Sequence, residues 1–139
     1  YGIDLAQIKK SGSAGGLGGA LYLLGAQMMS GIDLILEVTQ FEKYIQNADY
    51  IMTGEGSIDS QTVHGKTISG IAKIALKYSI PVIAFGGRVT EDAQNLYDIG
   101  VTALFSITNE VKTLSKALVD GKKYLEITAN NIYRLLESK

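Results

Sequence analysis

Three short apolar runs, each followed by glycine or polar residues, constrain the fold of this chain more than any other feature. They are Tyr50 to Met52 before Gly54, Val82 to Phe85 before Gly86, and Ala103 to Ile107 before Asn109. Runs of this kind are typical of buried strands. The residues between them show helical spacing, so strands alternate with helices and predict right-handed crossovers. We therefore expect a three-layer, Rossmann-like α/β fold with a mostly parallel sheet.

Helical patterns lie before, between and after the predicted strands in the sequence. The predicted helices run from Leu17 to Met28, from Phe41 to Asn47, from Ile68 to Leu76, from Thr90 to Gly100 and from Leu114 to Leu135. Ile32 to Val38 is β-prone and predicts a strand. The secure strands are few for a doubly wound sheet, and an uncovered sheet edge is a liability that natural folds avoid. We therefore expect an incomplete domain.

Composition excludes several classes of function. The 139 residues are 46% hydrophobic and carry a net charge of -1 without a basic block, which argues for a packed core and against nucleic-acid partners. The chain has no cysteine and one histidine, which excludes thiolate and multi-histidine metal sites. No apolar run approaches the roughly 20 residues of a membrane span. We expect a cytoplasmic protein without a membrane partner.

The polar segment from Thr53 to Lys66 is the strongest candidate for a functional site. It is predicted as a loop at the carboxyl end of a strand, where open α/β sheets bind ligands. Glu55 and Asp59 are candidate Mg²⁺ ligands or acid-base groups, although solvated loop carboxylates would look the same. Lys66, near a helix start, suits phosphate or carboxylate binding, or is a plain surface lysine. Ser60 stands where a P-loop requires glycine, so a true P-loop is not expected.

A glycine-rich segment lies nearer the N-terminus. Gly15, Gly16, Gly18 and Gly19 do not satisfy the dinucleotide-binding pattern, because Leu21 stands where it requires glycine. Two interpretations stay open: an anion-binding loop, or glycines that permit close helix packing. His64 is interpreted as a bystander rather than a proton shuttle. Arg88 is either a carboxylate clamp or a surface arginine.

Taken together, these motifs resemble the carboxyl-terminal part of bacterial glycerate kinases of the glycerate 2-kinase type. The resemblance rests on Gly12 to Leu21, Gly31-Ile32, Thr53 to Lys66, Phe105 to Ile107 and Ala129 to Arg134. It implies ATP-dependent phosphorylation of glycerate with Mg²⁺, with 2-phosphoglycerate favoured as the product. It also implies that residues 1–40 come from the junction with another domain. Residues 41–139 would then complete a Rossmann-like domain begun by a missing N-terminal part.

The family's N-terminal motifs, a Ser-Phe-Lys loop and a Ser-Ala-Thr-Asn-Asp stretch, have no counterpart in this chain. The resemblance therefore reaches only the residues that match one by one. Departures at Lys10, Ser11, Ser57 and Ile68 weaken the match locally, and Ser57 weakens a phosphate clamp there. The residues carried over are Gly15, Gly16, Gly54, Glu55, Gly56, Asp59, Gln61, Thr62, Gly65 and Lys66.

Within this resemblance, Asp59 and Lys66 are the predicted catalytic residues. Asp59 would act as base, Glu55 or Asp59 would hold Mg²⁺, and Lys66 would balance charge on phosphate or carboxylate. The remaining matched residues are predicted to bind substrate or phosphate: Gly15, Gly16, Gly54, Gly56, Gln61, Thr62 and Gly65. The alternative is a non-catalytic fragment or ligand-binding module, with dimerisation through a sheet edge as a further expectation. A flavodoxin-like or receiver-like domain ranks last, because Tyr1 to Gln7 offers no strand and loop.

Overall fold

The computed structural model describes residues 2–64 and 67–138. Five α-helices and three strands form in these ranges, with short 3₁₀ helices between them. The helices are α1 Leu17–Leu23, α2 Gly31–Val38, α3 Phe41–Ile45, α4 Thr67–Lys77 and α5 Leu114–Leu136. The strands are β1 Ile51–Ile58, β2 Val82–Val89 and β3 Ala103–Ser106. The 3₁₀ helices are Leu5–Gln7, Ser13–Gly16, Ser60–Val63 and Glu91–Ile99.

The strands form one parallel sheet in the order β1-β2-β3. Successive residues of β2 point to opposite faces, as the pleat requires. Val82 and Ala84 belong to clusters that include Ala75 and Ala72 of α4, whereas Ile83 and Phe85 pack with Ile132 of α5. Helices therefore cover both faces, and the predicted three-layer α/β class with a parallel sheet is confirmed.

The β-prone run from Ile32 to Val38 is helix α2, so the strand predicted there is wrong. Ser30 caps this helix, because its hydroxyl oxygen accepts a hydrogen bond from the Asp33 amide at 3.1 Å. Gly70 of α4 then lets α2 approach: a Cβ on Gly70 would lie 2.6 Å from Cγ1 of Ile32. The cap and this close packing override the β-propensity of the run.

The other predicted helices form, with two differences in extent and burial. Helix α1 ends at Leu23, before the predicted limit at Met28, because Gly25 adopts a φ of 91° that breaks the helical conformation. Helix α5 buries Tyr124, Thr128 and Ile132, while several predicted stripe residues stay more than half exposed. These exposed residues are Leu114, Leu118 and Leu135.

No helix within residues 2–64 and 67–138 has both the length and the apolar character needed to cross a bilayer.

Candidate functional site

The candidate site lies at the carboxyl ends of β1 and β2. Thr53 to Ile58 were predicted to begin a loop, but they continue β1 in register with β2, from Gly54 opposite Phe85 to Ile58 opposite Val89. The glycines permit this continuation. A Cβ on Gly54 would lie 2.8 Å from the Phe85 carbonyl oxygen, and one on Gly87 would lie 2.8 Å from the Gly56 carbonyl oxygen. The close approach of backbones therefore extends the ladder through the motif.

A cavity of about 580 Å³ opens beside the middle of β1 and β2, between these strands and α5. Glu55 is partly exposed in it and lies on the strand between Gly54 and Gly56. Gly56 leaves open space, because a Cβ there would meet no heavy atom within 4 Å. The cavity is lined by Met52, Thr53, Gly54, Glu55, Gly56, Phe85, Gly86, Gly87, Ile107, Leu125 and Ala129. The structure thus brings three of the predicted site residues together with an apolar wall.

Asp59 follows β1 and forms a capping box with the short helix Ser60–Val63. Its carboxylate oxygen Oδ1 accepts a hydrogen bond from the Gln61 amide at 3.0 Å. The Thr62 hydroxyl oxygen accepts one from the Asp59 amide at 3.2 Å, and Thr62 is fully buried. Thr62 therefore shapes the turn, and the turn orients the carboxylate of Asp59. The side chain of Gln61 is exposed.

Asp92 belongs to this corner of the fold, and the sequence reasoning missed it as a site residue. The Thr90 hydroxyl lies within hydrogen-bonding distance of both the Ile58 carbonyl oxygen and the Asp92 carboxylate. Hydrogen bonds from Thr90 and then from Ser60 lower the pKa of Asp92. Its sequence signal was its place three residues after the end of β2. The same signal drew attention to Asp59 after β1.

Mg²⁺ chemistry fits the donors that the structure supplies. Among residues 2–64 and 67–138, no group of three or more histidine, aspartate or glutamate side chains is placed to hold a metal. Mg²⁺ is usually held by one or two carboxylates together with substrate phosphates and water, rather than by a cage of protein ligands. Glu55 and Asp59 could supply such carboxylates.

The structure separates the two interpretations of the glycine-rich segment. Gly18 and Gly19 are packing glycines: a Cβ on Gly18 would lie 2.7 Å from the Lys10 carbonyl oxygen. Gly15 and Gly16 are exposed, with no atom within 4 Å of a built Cβ and with φ values of 66° and 96°. Together with Ala14, whose φ is 52°, they form a run of left-handed backbone before α1. Neither Gly15 nor Gly16 lines the cavity between β1, β2 and α5.

His64 lies in a different cavity, of about 980 Å³, between α2, α3 and α4. Its lining residues carry both charges: Lys10, Lys43 and Lys73 are basic, and Asp33 and Glu37 are acidic. Glu42 in this cavity contacts Lys77 at 3.2 Å and Tyr78 at 3.0 Å, and these contacts lower the pKa of Glu42. The mixed charge gives no clear preference for an anion. Gly65 and Lys66, the last predicted site residues, lie outside the described residues.

Comparison with protein families gives a match over nearly the whole chain. The sequence model of the glycerate kinase family matches residues 1–137. The glycerate kinase of Bacillus subtilis is 46% identical over 123 residues, which cover 88% of this chain and 32% of that protein. The glycerate kinase of Halalkalibacterium halodurans is 40% identical over 132 residues, covering 94% and 35%. The glycerate 2-kinase of Escherichia coli is 39% identical over 116 residues, covering 83% and 30%.

A solved structure agrees with these sequence matches. The crystal structure of a protein described as glycerate kinase 2 from Salmonella typhimurium LT2 superposes with a TM-score of 0.70 at 39% identity. The match covers 92% of this chain and 33% of that protein. The chain therefore spans about a third of the length of the relatives that it matches.

Proposed function

Because the chain belongs to the glycerate kinase family, we propose that it forms part of an enzyme that transfers the γ-phosphoryl group of ATP to glycerate. The family match over residues 1–137 carries this proposal. The carboxylates Glu55 and Asp59 support it, since phosphoryl transfer depends on positioning of the reactants, on metal ions held by acidic side chains and on a residue that orients the nucleophile. We favour 2-phosphoglycerate as the product, because the E. coli relative is a glycerate 2-kinase.

We assign a role to each site residue from the sequence motif and, for the described residues, from the local geometry. Asp59, oriented by its capping box, accepts the proton of the attacking hydroxyl. Glu55, on the strand edge, and Asp59 are the carboxylates that would hold Mg²⁺. When bound, Mg²⁺ neutralises charge on the phosphates. Lys66 is assigned to the same charge balance from the sequence motif.

The remaining predicted residues bind substrate or phosphate. Gly56 leaves space for a ligand beside β1, Gly54 lets β1 approach the Phe85 backbone, and Gln61 presents an exposed amide beside Asp59. Thr62 acts through the turn that it stabilises. The exposed left-handed run at Gly15 and Gly16 offers backbone amides to an anion. Gly65 completes the set.

The proposed setting is the cytoplasm, with glycerate and ATP as the small-molecule partners. The remaining part of a longer family member is the proposed protein partner, because the chain spans about a third of its relatives. A free sheet edge could instead pair with a second copy of the chain. The same coverage favours one alternative function, a ligand-binding module that does not turn over on its own.

The deciding experiment is an ATP-dependent phosphorylation assay with glycerate, with the product position read by phosphorus NMR. It compares the 139-residue chain with a version that carries whatever coding sequence precedes Tyr1 in its gene. Phosphoglycerate formed by either version supports the kinase. Failure of both, in the presence of Mg²⁺, would favour the binding module.

A further inference from the structure

The cavity at the sheet edge has two chemically different halves. One half consists of the glycine-rich middle segments of β1 and β2 with Glu55. The other half is an apolar wall formed by Met52, Phe85, Ile107, Leu125 and Ala129. Phe85 and Ile107 are held in place by the cluster under α5 that contains Ile132. Part of the apolar wall is therefore continuous with the hydrophobic core, which fixes its position.

Glycerate does not account for this apolar wall. Every carbon of glycerate carries oxygen, so the molecule has no apolar surface to bury. The cavity volume of about 580 Å³ lies within the range of roughly 300 to 1,000 Å³ that small-molecule sites occupy. Of the two substrates in the proposed reaction, only the nucleotide has a large, flat, weakly polar part.

We propose that the apolar half of this cavity binds the purine base of the nucleotide that donates the phosphoryl group. This inference rests on the proposed function. Gly56 provides the space, because nothing lies within 4 Å of a Cβ built on it. Leu125 and Ala129 of α5 line one side of the apolar half of the cavity, and Phe85 of β2 lines its base. The phosphates of the nucleotide would then extend from the apolar half of the cavity toward Glu55 and the end of β1.

Two exposed leucines of α5, Leu125 and Leu135, differ in whether they line this cavity. Leu125 lines the cavity and is 43% exposed, so its side chain is accessible to a ligand. Leu135, which is 66% exposed on the same helix, is not one of the lining residues. An identical substitution at both positions therefore separates loss of base contact from a general change in the helix surface.

The test uses the version of the protein that phosphorylates glycerate, with the variants Leu125→Gln, Gly56→Leu and the control Leu135→Gln. We expect Leu125→Gln to raise the KM for ATP about tenfold, the effect of losing one apolar side-chain contact. Gly56→Leu should raise it at least as much by filling the cavity. The KM for glycerate, and the affinity for inorganic tripolyphosphate in competition, should stay unchanged in Leu125→Gln. Leu135→Gln should match the unmodified protein.

The outcomes separate the two proposals. Glycerate phosphorylation with an unchanged KM for ATP in both cavity variants overturns the base site and leaves the kinase standing. So does an equal loss of tripolyphosphate affinity, which would show that the wall affects the phosphates or the fold. If no version phosphorylates glycerate, ATP and tripolyphosphate binding are measured by calorimetry. Selective loss of ATP affinity then supports the base site without the kinase, and absence of ATP binding overturns both.

Discussion

The Thr62 hydroxyl oxygen accepts a hydrogen bond from the Asp59 amide, and the Asp59 carboxylate accepts one from the Gln61 amide. Asp59 and Thr62 thereby form a capping box that holds both residues in place. This reciprocal cap fixes a carboxylate immediately after the end of β1. Because Thr62 is fully buried, the arrangement is anchored in the core rather than left to a mobile loop. Asp59 thus has a structural role in addition to the catalytic role that we propose for it.

Replacing Asp59 with asparagine should separate these two roles. Asparagine caps helices about as well as aspartate, so we expect the free energy of unfolding to change by less than about 0.5 kcal/mol. Loss of the base should lower kcat by roughly 100-fold or more. Steady-state kinetics and urea unfolding measure the two effects. Normal turnover in Asp59→Asn would remove Asp59 from the chemistry.

Thr62→Val provides the matched structural control for that prediction. It removes the oxygen that accepts from the Asp59 amide while keeping the buried volume nearly constant. We expect a loss of about 1 kcal/mol in the free energy of unfolding. A Thr62→Val protein as stable as the parent would contradict the role assigned to the capping box.

Glu55→Gln should weaken the binding of Mg²⁺ and so raise the Mg²⁺ concentration that activity requires. The substitution keeps the size of the side chain and removes a charge at the cavity edge. We expect the Mg²⁺ concentration for half-maximal activity to rise by at least about tenfold, since even groups that only support metal ligands cost this much. Chelation of Mg²⁺ should abolish turnover in the parent protein. An unchanged Mg²⁺ requirement would exclude Glu55 as a ligand.

Gly70→Ala should destabilise the protein, although alanine is intrinsically the better helix former. The new Cβ would lie 2.6 Å from Cγ1 of Ile32, on a stiff β-branched side chain, so α2 must move. We expect a cost of about 1 to 3 kcal/mol in the free energy of unfolding. The control is Gly121→Ala in α5, where nothing lies within 4 Å. That variant should gain up to about 1 kcal/mol, and equal effects at both sites would refute the packing argument.

Gly16→Ala should strain the backbone before α1. The φ of Gly16 is 96°, and an L-residue there costs roughly 1 to 2 kcal/mol. Gly12 offers a matched control, because its φ is -74° and nothing lies within 4 Å of a built Cβ. We expect Gly16→Ala, but not Gly12→Ala, to weaken binding of ATP or glycerate, measured by titration calorimetry. Unchanged binding of both substrates would rule out an anion site at Gly15 and Gly16.

Asp92 should contribute to stability in a defined pH range. Thr90 and Ser60 lower the pKa of Asp92 in the folded state. The stabilisation is therefore present above the unfolded-state pKa of about 3.9 and is lost as pH falls through the lower folded-state value. We expect Asp92→Asn to be less stable than the parent at pH near 6. The difference in urea midpoint should shrink below pH of about 4, and a difference that is constant with pH would contradict the assignment.

The sequence by itself determined the fold class. Short apolar runs bounded by glycine specify buried strands, and the helical periodicity between them leaves a parallel sheet as the solution. The sequence placed Asp59 in a polar segment after the first predicted strand, and in the structure Asp59 follows β1, whereas Gly54 and Glu55 lie within the strand and not in the predicted loop. These features follow from periodicity and turn chemistry, which are local properties of the chain.

Only the tertiary structure decided the features that depend on close approach between distant segments. Ile32 to Val38 is helical because Ser30 caps it and Gly70 lets it pack, although its own propensity favours a strand. Gly54 extends β1 because the Phe85 backbone lies against it. Asp92 lies beside the turn that follows β1 because it is hydrogen-bonded to Thr90 and to Ser60, and Ser60 is distant from it in sequence. The apolar wall beside Glu55 likewise arises where α5 lies against the middle of β1 and β2, a relationship that no local pattern encodes.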